Sequence, residues 1–346
     1  MKNTDFSFFD RRRSKLLRPS EFWPDRLWHI PALIQGALLG VLKGNINWFV
    51  RANPALAWGG MFDSPKSELL NRLKEENKPK SHCIPFDSAL PELPMGFSFP
   101  VILKPDTGER GRLVSKIIDH EAWLAYWHKA PLGNYLVQEF VHFGFEFGVF
   151  VVREAAGDFR IHSLTWKLPL GVVGDGVSRL EELLHQHPRA RRFKSFWPEI
   201  DAATGRKVLG AGEWFPLHFS GNHSRGATFL DARTQLSPAM ELAFNELLAG
   251  LDGFDYGRLD VMVEQPDLLT VASKIKVLEI NGANAEPAHV YDPASWWLRG
   301  LLEHLRFQRM MWVVACRNLD RGAKGAGLRQ TWQALMTYRR WQKSIL

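Results

Sequence analysis

Cysteine is almost missing from this chain. Of 346 residues only Cys83 and Cys316 carry a thiol, and they lie far apart without metal-ligand spacing. That excludes a disulfide framework, suits a reducing cytosol and gives no ground for a redox role. Long apolar runs are missing too. The most apolar stretch, Ile30 to Val50, is interrupted by Pro31, Gln35, Lys43 and Asn45, so no membrane span is expected there. The opening MKNTDFSFFDRRRSKLLRPSEFWP sets its basic run behind a Phe-rich polar segment and has no apolar h-region, so a signal peptide is not expected. GKS or GKT, GxSxG, internal repeats and low-complexity tracts are also absent, which excludes a Walker loop and a serine-hydrolase elbow.

What is present is an ordinary globular composition, 45% apolar, enough for two or three packed units. Charge is uneven. After Asp292 ten Lys or Arg stand against Glu303 and Asp320. Such a tail suits an anionic membrane surface or an acidic partner, with a solvated helical face as the plain alternative. Trp296, Trp297, Met310, Met311 and Trp312 recur at helical spacing and read as core contacts. No nucleic-acid motif accompanies them, and no nucleic-acid partner is expected.

Residues 1–63 mix aromatic, basic and Pro/Gly-punctuated sequence and read as a leading region or clasp. Residues 64–143 alternate as a small α+β lobe: a helix over SPKSELLNRLKEENK capped by Ser64, a strand over 99–105, a helix near 119–129 and a strand over 134–141. Residues 144–292 read as a larger lobe, with strands in EFGVFVVRE and FRIHSLTWKL, helices in VSRLEELLHQ and in SPAMELAFNELLAGLDG up to Gly250 or Gly253, and a closing hairpin. Two helices joined by DRGAKGAGL fill 293–346.

The hairpin carries the chemistry. GRLDVMVE and IKVLEINGAN alternate as strands around the polar loop QPDLLTVASK. Antiparallel pairing sets Asp260 beside Glu279, and Asn281, two residues on, shares the face of Glu279. Two carboxylates and an amide oxygen suit a hard cation such as magnesium, and through it phosphate chemistry; an acidic strand pair with solvated ends is the plain alternative. FPVILKPDTGERGRL places Lys104 at a strand end before Gly108 and Gly111, a pattern that lets backbone N–H groups and an ammonium approach phosphate. Beyond it Gln138, Glu139 and Phe140 end a strand whose edge suits an adenine, and Glu146 follows as a carboxylate for ribose hydroxyls. In WFPLHFSGNHSRGATFLD, Arg225 suits a substrate carboxylate or a γ-phosphate, or a polar loop over the sheet. Glu286 and His289 either line an acceptor pocket or cap the last turn.

Taken in order, Lys104, Glu139 to Glu146, GVVGDGVSRLEEL, GRLD and LEINGANAE resemble the ATP-grasp superfamily, most closely its carboxylate-amine ligases. The resemblance covers about residues 64–292. It implies an ATP-grasp fold, two α+β lobes with ATP between them, flanked by the N-terminal region and the basic helical extension. It implies that Lys66 and Lys104 meet the phosphates, that the loop Thr107–Arg112 closes over them, and that Glu139 with the backbone near Val141 and His142 holds adenine. Glu146 would hold ribose. Asp260, Glu279 and Asn281 match magnesium ligands, with manganese as a substitute. Arg258 matches an arginine steadying the acyl-phosphate or tetrahedral intermediate, and Lys167 stands where relatives carry arginine, either reaching the γ-phosphate or standing as an exposed strand lysine. Glu109 and Arg110 depart from the small residues usual in the loop. The implied reaction joins a small-molecule carboxylate to an amine with release of ADP and phosphate. A phosphotransferase, or an ATP-binding module docking on a membrane through its basic tail, are the alternatives. Asp260→Asn and Glu279→Gln are both expected to abolish turnover at a nearly unchanged melting temperature, and deletion of residues 320–346 is expected to leave ATP binding intact if the tail is peripheral.

Overall fold

The computed structural model describes residues 6–42, 44–87, 89–108, 111–142 and 144–344, so Glu109 and Arg110 of the phosphate loop lie outside the described residues. The leading region forms short 3-10 turns and the helix α1 (Asp25–Leu42). It has no core of its own. Phe9 sits in the core of the large lobe, and Ser14 bonds through its hydroxyl to the Gly171 carbonyl (3.1 Å) while its carbonyl accepts from Thr228 (3.0 Å), so the segment is a clasp.

The small lobe runs α2 (Lys66–Leu70), β1 (Ser81–Phe86), β2 (Val101–Pro105), β3 (Ser115–Ile117), α3 (His120–Trp127) and β4 (Gly133–Glu139). Its antiparallel sheet has the order β1-β4-β2-β3. Asp119 caps α3, whose Trp123 and Trp127 pack against Val101, Leu103 and Val137. The helix expected from Ser64 is a single short one with Pro65 at its cap. Tertiary anchoring ends it: Asn77 is buried and its amide donates to the carbonyls of Ala272 (2.6 Å) and Ile275 (3.2 Å).

The large lobe holds β5 (Phe145–Arg153), β6 (Phe159–Leu168), β7 (Gly171–Val173), α4 (Leu180–Gln186), α5 (Pro188–Arg192), α6 (Ala202–Gly205), β8 (Trp214–Pro216), β9 (Thr228–Asp231), α7 (Pro238–Leu248), β10 (Tyr256–Val263) and β11 (Lys276–Asn281). β11-β10-β5-β6-β9 form one antiparallel sheet, and β7 pairs with β8. α7 stops before either glycine, because the chain must turn there to bury Leu251 and Phe254. The QPDLLTVASK connection is folded into two 3-10 turns rather than an open loop.

Period-2 alternation gives this sheet two faces. Phe147, Val149, Val151, Leu259, Val261 and Val263 point to α7 and form the main core. The opposite face is divided. Phe150 and Tyr256 are covered by Phe307, Met311, Val314 and Ala315 of α8 (Trp297–Asp320), while the other half is left as the floor of a cleft between the lobes. α9 (Leu328–Ser344) completes the chain. Met310, Met311 and Trp312 are core contacts as expected, but Trp296 and Trp297 are exposed.

Candidate functional site

A cavity of about 660 Å³ lies between the lobes, a size suited to a nucleotide with a second ligand. Of the residues anticipated from sequence, Lys66, Lys104, Gly108, Gly111, Gln138, Glu139, Val141, Glu146, Lys167, Arg225, Arg258, Asp260, Glu279 and Asn281 all line it. His142 is not in the wall; its ring packs on Phe140 at 4.6 Å. His289 is not in the wall either, being buried with Nδ1 2.6 Å from the Ser163 hydroxyl, whereas Glu286 is.

The polar end is built from strand register. Asp260 pairs across the hairpin with Glu279 and on its other side with Gly148. A Cβ at Gly148 would stand 3.3 Å from Arg258 Cδ and 3.6 Å from Lys167 Cε, so the glycine makes room for two long cations over the sheet. Lys167 Nζ lies 2.9 Å from both Glu146 Oε1 and Asp260 Oδ2. Arg258 donates from Nε (2.9 Å) and Nη2 (3.2 Å) to the two oxygens of Asp260. Burial would raise the Asp260 pKa, but Arg258 and Lys167 hold it below the usual carboxylate range; burial would lower that of Lys167, and Asp260 and Glu146 raise it instead. Lys167 is therefore a buried, ion-paired residue and not an exposed strand lysine.

Lys104 has a different environment. It is buried, and among the described residues its Nζ donates only to neutral oxygens, Gln138 Oε1 (3.0 Å) and the carbonyl of Leu278 (3.2 Å). That carbonyl is available because the β10–β11 register skips Leu278 at a bulge. Burial lowers the Lys104 pKa to about 8, partly offset by Glu279 and deepened by Lys66. Lys66 Nζ donates to the carbonyl of Gly108 (2.8 Å), and Asp106, which the sequence reading passed over, fixes the loop by accepting from the N–H and hydroxyl of Ser67 (both 2.8 Å).

Asp260, Glu279 and Asn281 offer hard oxygen donors, a set that fits magnesium. Among the described residues Glu279 and Asn281 make no side-chain hydrogen bond, and no three His, Cys, Asp or Glu side chains gather as a metal cluster. Ile102, Met262, Leu278 and Phe219, which sequence reasoning missed, form apolar walls, with Ile102 directly opposite Gln138 in the sheet. Glu139 stands exposed at the cleft edge. Gly221 N–H donates to Glu146 Oε2 (2.8 Å), and a Cβ there would meet that carboxylate at 2.5 Å; Glu146 is thus held by Lys167 and by the loop.

The other end is aromatic and comes from segments the sequence left unassigned. Phe22, Trp23 and Trp28 of the clasp line it together with His223, Phe229 and Tyr291. Phe22 stacks on His223 (5.2 Å, 16°), and Trp28 meets Tyr291 edge-on at 5.7 Å. Arg189, fully buried, ties the clasp down by bonding Glu21, the Leu16 carbonyl (2.7 Å) and the Ala227 carbonyl (3.2 Å); Glu21 also meets His223 at 3.2 Å. Glu286 faces the cavity with Tyr291 donating to it and His29 3.1 Å away. Burial would raise its pKa, yet His304, His29, Tyr291 and Arg258 keep it low, so it stands as a carboxylate. Arg225 lies over the Phe196 ring at 4.6 Å. The basic extension is not peripheral: α9 returns over the small lobe, with Tyr338 buried beside Phe62 and Trp341 next to Gly108 of the phosphate loop.

No family model and no curated protein matches this sequence. Solved structures do, among them a bifunctional glutathione synthetase from Pasteurella multocida (14% identical, TM-score 0.33), covering 69% of this chain and 35% of the synthetase. A D-alanine–D-alanine ligase from Bacillus anthracis is 12% identical with a TM-score of 0.41, over 73% of this chain and 67% of the ligase. An L-amino acid ligase from Bacillus licheniformis is 14% identical with a TM-score of 0.37, over 66% and 42%. The chain thus spans about a third of the synthetase, two fifths of the L-amino acid ligase and two thirds of the D-alanine ligase, and it is to such ligases that it is similar.

Proposed function

We propose that this chain is an ATP-grasp enzyme that couples ATP cleavage to joining a carboxylate and an amine, with ADP and phosphate released. The observation that carries the reading is Lys104: a buried ammonium with no carboxylate bonded to it among the described residues, at a cavity whose floor holds the Asp260–Glu279 pair. A buried uncompensated cation is costly unless a ligand supplies the counter-charge. A polyphosphate does so. Lys66, Lys104, Lys167 and Arg258 all line the polar end, where phosphate oxygens and a magnesium ion would be held among them and the Asp260–Glu279 pair.

In this reading the apolar walls at Ile102, Met262, Leu278 and Phe219 take adenine, Glu139 and the Val141 backbone bond its edge, and Glu146 takes ribose. Asp260, Glu279 and Asn281 would hold magnesium, which when bound screens the charge on the phosphate oxygens. Lys104 and Lys66 position the phosphates. A substrate carboxylate oxygen bonds to the γ-phosphorus as the bond from that phosphorus to the β,γ-bridging oxygen breaks, giving an acyl phosphate and ADP. The amine then attacks the acyl carbon, phosphate departs with the C–O bond electrons, and the amine loses a proton. Arg258 and Arg225 stabilise the oxyanions. The aromatic end takes the organic substrates, with the Glu286 carboxylate as partner for the amine in its cationic resting form and the rings as walls for an apolar body.

Product analysis tests this. ADP and free phosphate should form only when a carboxylate and an amine are both supplied. Phosphate retained on one substrate would instead show a phosphotransferase, and ATP binding without turnover across a broad panel would show a non-catalytic module.

A further inference from the structure

α1 is built inside out. A helix on a soluble protein normally turns its large apolar side chains to the core and its small or polar ones to water. Here the side that meets the protein carries Gly36 and Gly40. Trp48 Nε1 donates to the Gly36 carbonyl (3.0 Å), Trp312 Nε1 donates to that of Leu39 (3.2 Å), and Gln35 reaches the Leu305 carbonyl of α8 (3.1 Å). The contact is so close that a Cβ at Gly36 would stand 2.7 Å from Gln308. The outward side carries Leu27, Ile30, Leu33, Ile34, Leu38 and Leu42, between 49% and 74% exposed. No Asp, Glu, Lys or Arg occurs from Leu27 to Leu42. These side chains form one patch on the order of several hundred Å², at the limit of what an ordinary monomer leaves in water.

The surroundings indicate what covers it. α8, packed along α1, exposes Arg299, Arg306 and Arg309 to solvent; its acid Glu303 is half-buried and paired with Arg233 and Arg306. Tryptophans stand at both ends: Trp23 against Trp297 (5.4 Å) with Trp296 exposed at one, and exposed Trp332 at the other, where Asn47 bonds Thr331 (2.9 Å). Apolar helix face, cationic flank and terminal tryptophans are the pattern of a helix lying in a membrane interface. No helix among the described residues is long and apolar enough to cross a membrane, and α1 is about 27 Å long with one side fixed to α8. A second copy of the chain would bring the same arginines face to face across a two-fold contact.

We propose that the outward face of α1 docks on an anionic lipid bilayer, with its leucines and isoleucines in the acyl boundary and the α8 arginines at the headgroups. This is independent of the nucleotide reading, and it moves the membrane contact expected of the basic tail to a different element.

The test is co-sedimentation of the full-length protein with vesicles of phosphatidylcholine alone or mixed with phosphatidylglycerol. The protein should pellet with the mixed vesicles and much less with the neutral ones. Ile34→Glu with Leu38→Glu should lower binding about tenfold or more, and Arg306→Glu with Arg309→Glu by about tenfold, each at an unchanged melting temperature. Met95→Glu, which alters a 98% exposed apolar residue elsewhere, should bind as the parent does. Protein that stays in the supernatant with both vesicles overturns the proposal. So does binding that ignores the α1 substitutions, or a dimer that they dissociate while vesicle binding is absent.

Discussion

At one end of the cavity Lys104, Lys167, Arg258, Asp260 and Glu279 stand on paired strands, and a shift of one residue would turn each away from the cleft. At the other end Phe22, Trp28, His223 and Tyr291 come from turns, a helix and loops far apart in sequence, held by Arg189 and Glu21. Register fixes the first group rigidly. The second depends on a clasp without its own core, and this is the part of the molecule free to differ without disturbing the charge cluster. On the proposed reading, the comparison teaches that activation chemistry and substrate choice would be carried by separable pieces of the chain.

The harshest way to break that separation is at Asp260. Asp260→Asn leaves Arg258 and Lys167 buried with half their compensation, so turnover should fall at least about a hundredfold and stability by about 3–5 kcal/mol, read by ADP release and thermal melting. Glu279→Gln should cost the same turnover with the melting temperature unmoved, since Glu279 makes no side-chain hydrogen bond among the described residues. The two carboxylates are thus expected to part on stability, with a purely catalytic effect predicted for Glu279 and a mixed one for Asp260.

Lys104 comes next. Lys104→Met should weaken ATP binding about tenfold to a hundredfold while leaving the fold as stable or more so, because it removes a buried charge. With the folded pKa at about 8, below the ordinary lysine value, ATP affinity should fall as pH rises through that point. The same depression makes the unfolded chain bind more protons above that pH, so stability should rise from there toward the ordinary lysine value. Calorimetry in buffers of different ionisation enthalpy should show proton uptake on ATP binding near that pH.

Glu286→Gln sharpens the comparison from the other side, with KM for the amine rising about tenfold and Kd for ATP unchanged. A change in ATP affinity would show the two ends to be one unit. The smallest effect is expected of Trp341→Ala, a change of a few-fold in ATP affinity through the loop at Gly108.

How much of this was legible follows from the range of each signal. Arg258, Asp260, Glu279 and Asn281 could be placed on one face because alternation is local and each strand carries it. β1 and β3 were passed over because one contains Pro85 and the other has only three residues. The helix from Ser64 was drawn too long because the signal that stops it, the burial of Asn77 against the β10–β11 connection, lies about two hundred positions away. Gly148, Asp106 and the aromatic wall have no local signature. Their roles arise only when Arg258 and Lys167 cross one, Ser67 meets another, and the clasp closes over the third.

One contact has a mechanical meaning. Lys104 stands on the small sheet and its ammonium is bonded to the Leu278 carbonyl of the large one, so it works as a latch between the two halves. On the proposed reading the third N–H of that ammonium would meet a phosphate oxygen, so that one proton-bearing group would both tie the two sheets together and hold the ligand. Alkali that discharges the lysine should therefore loosen its grip on the ligand first, since the neutral amine can still donate to the Leu278 carbonyl.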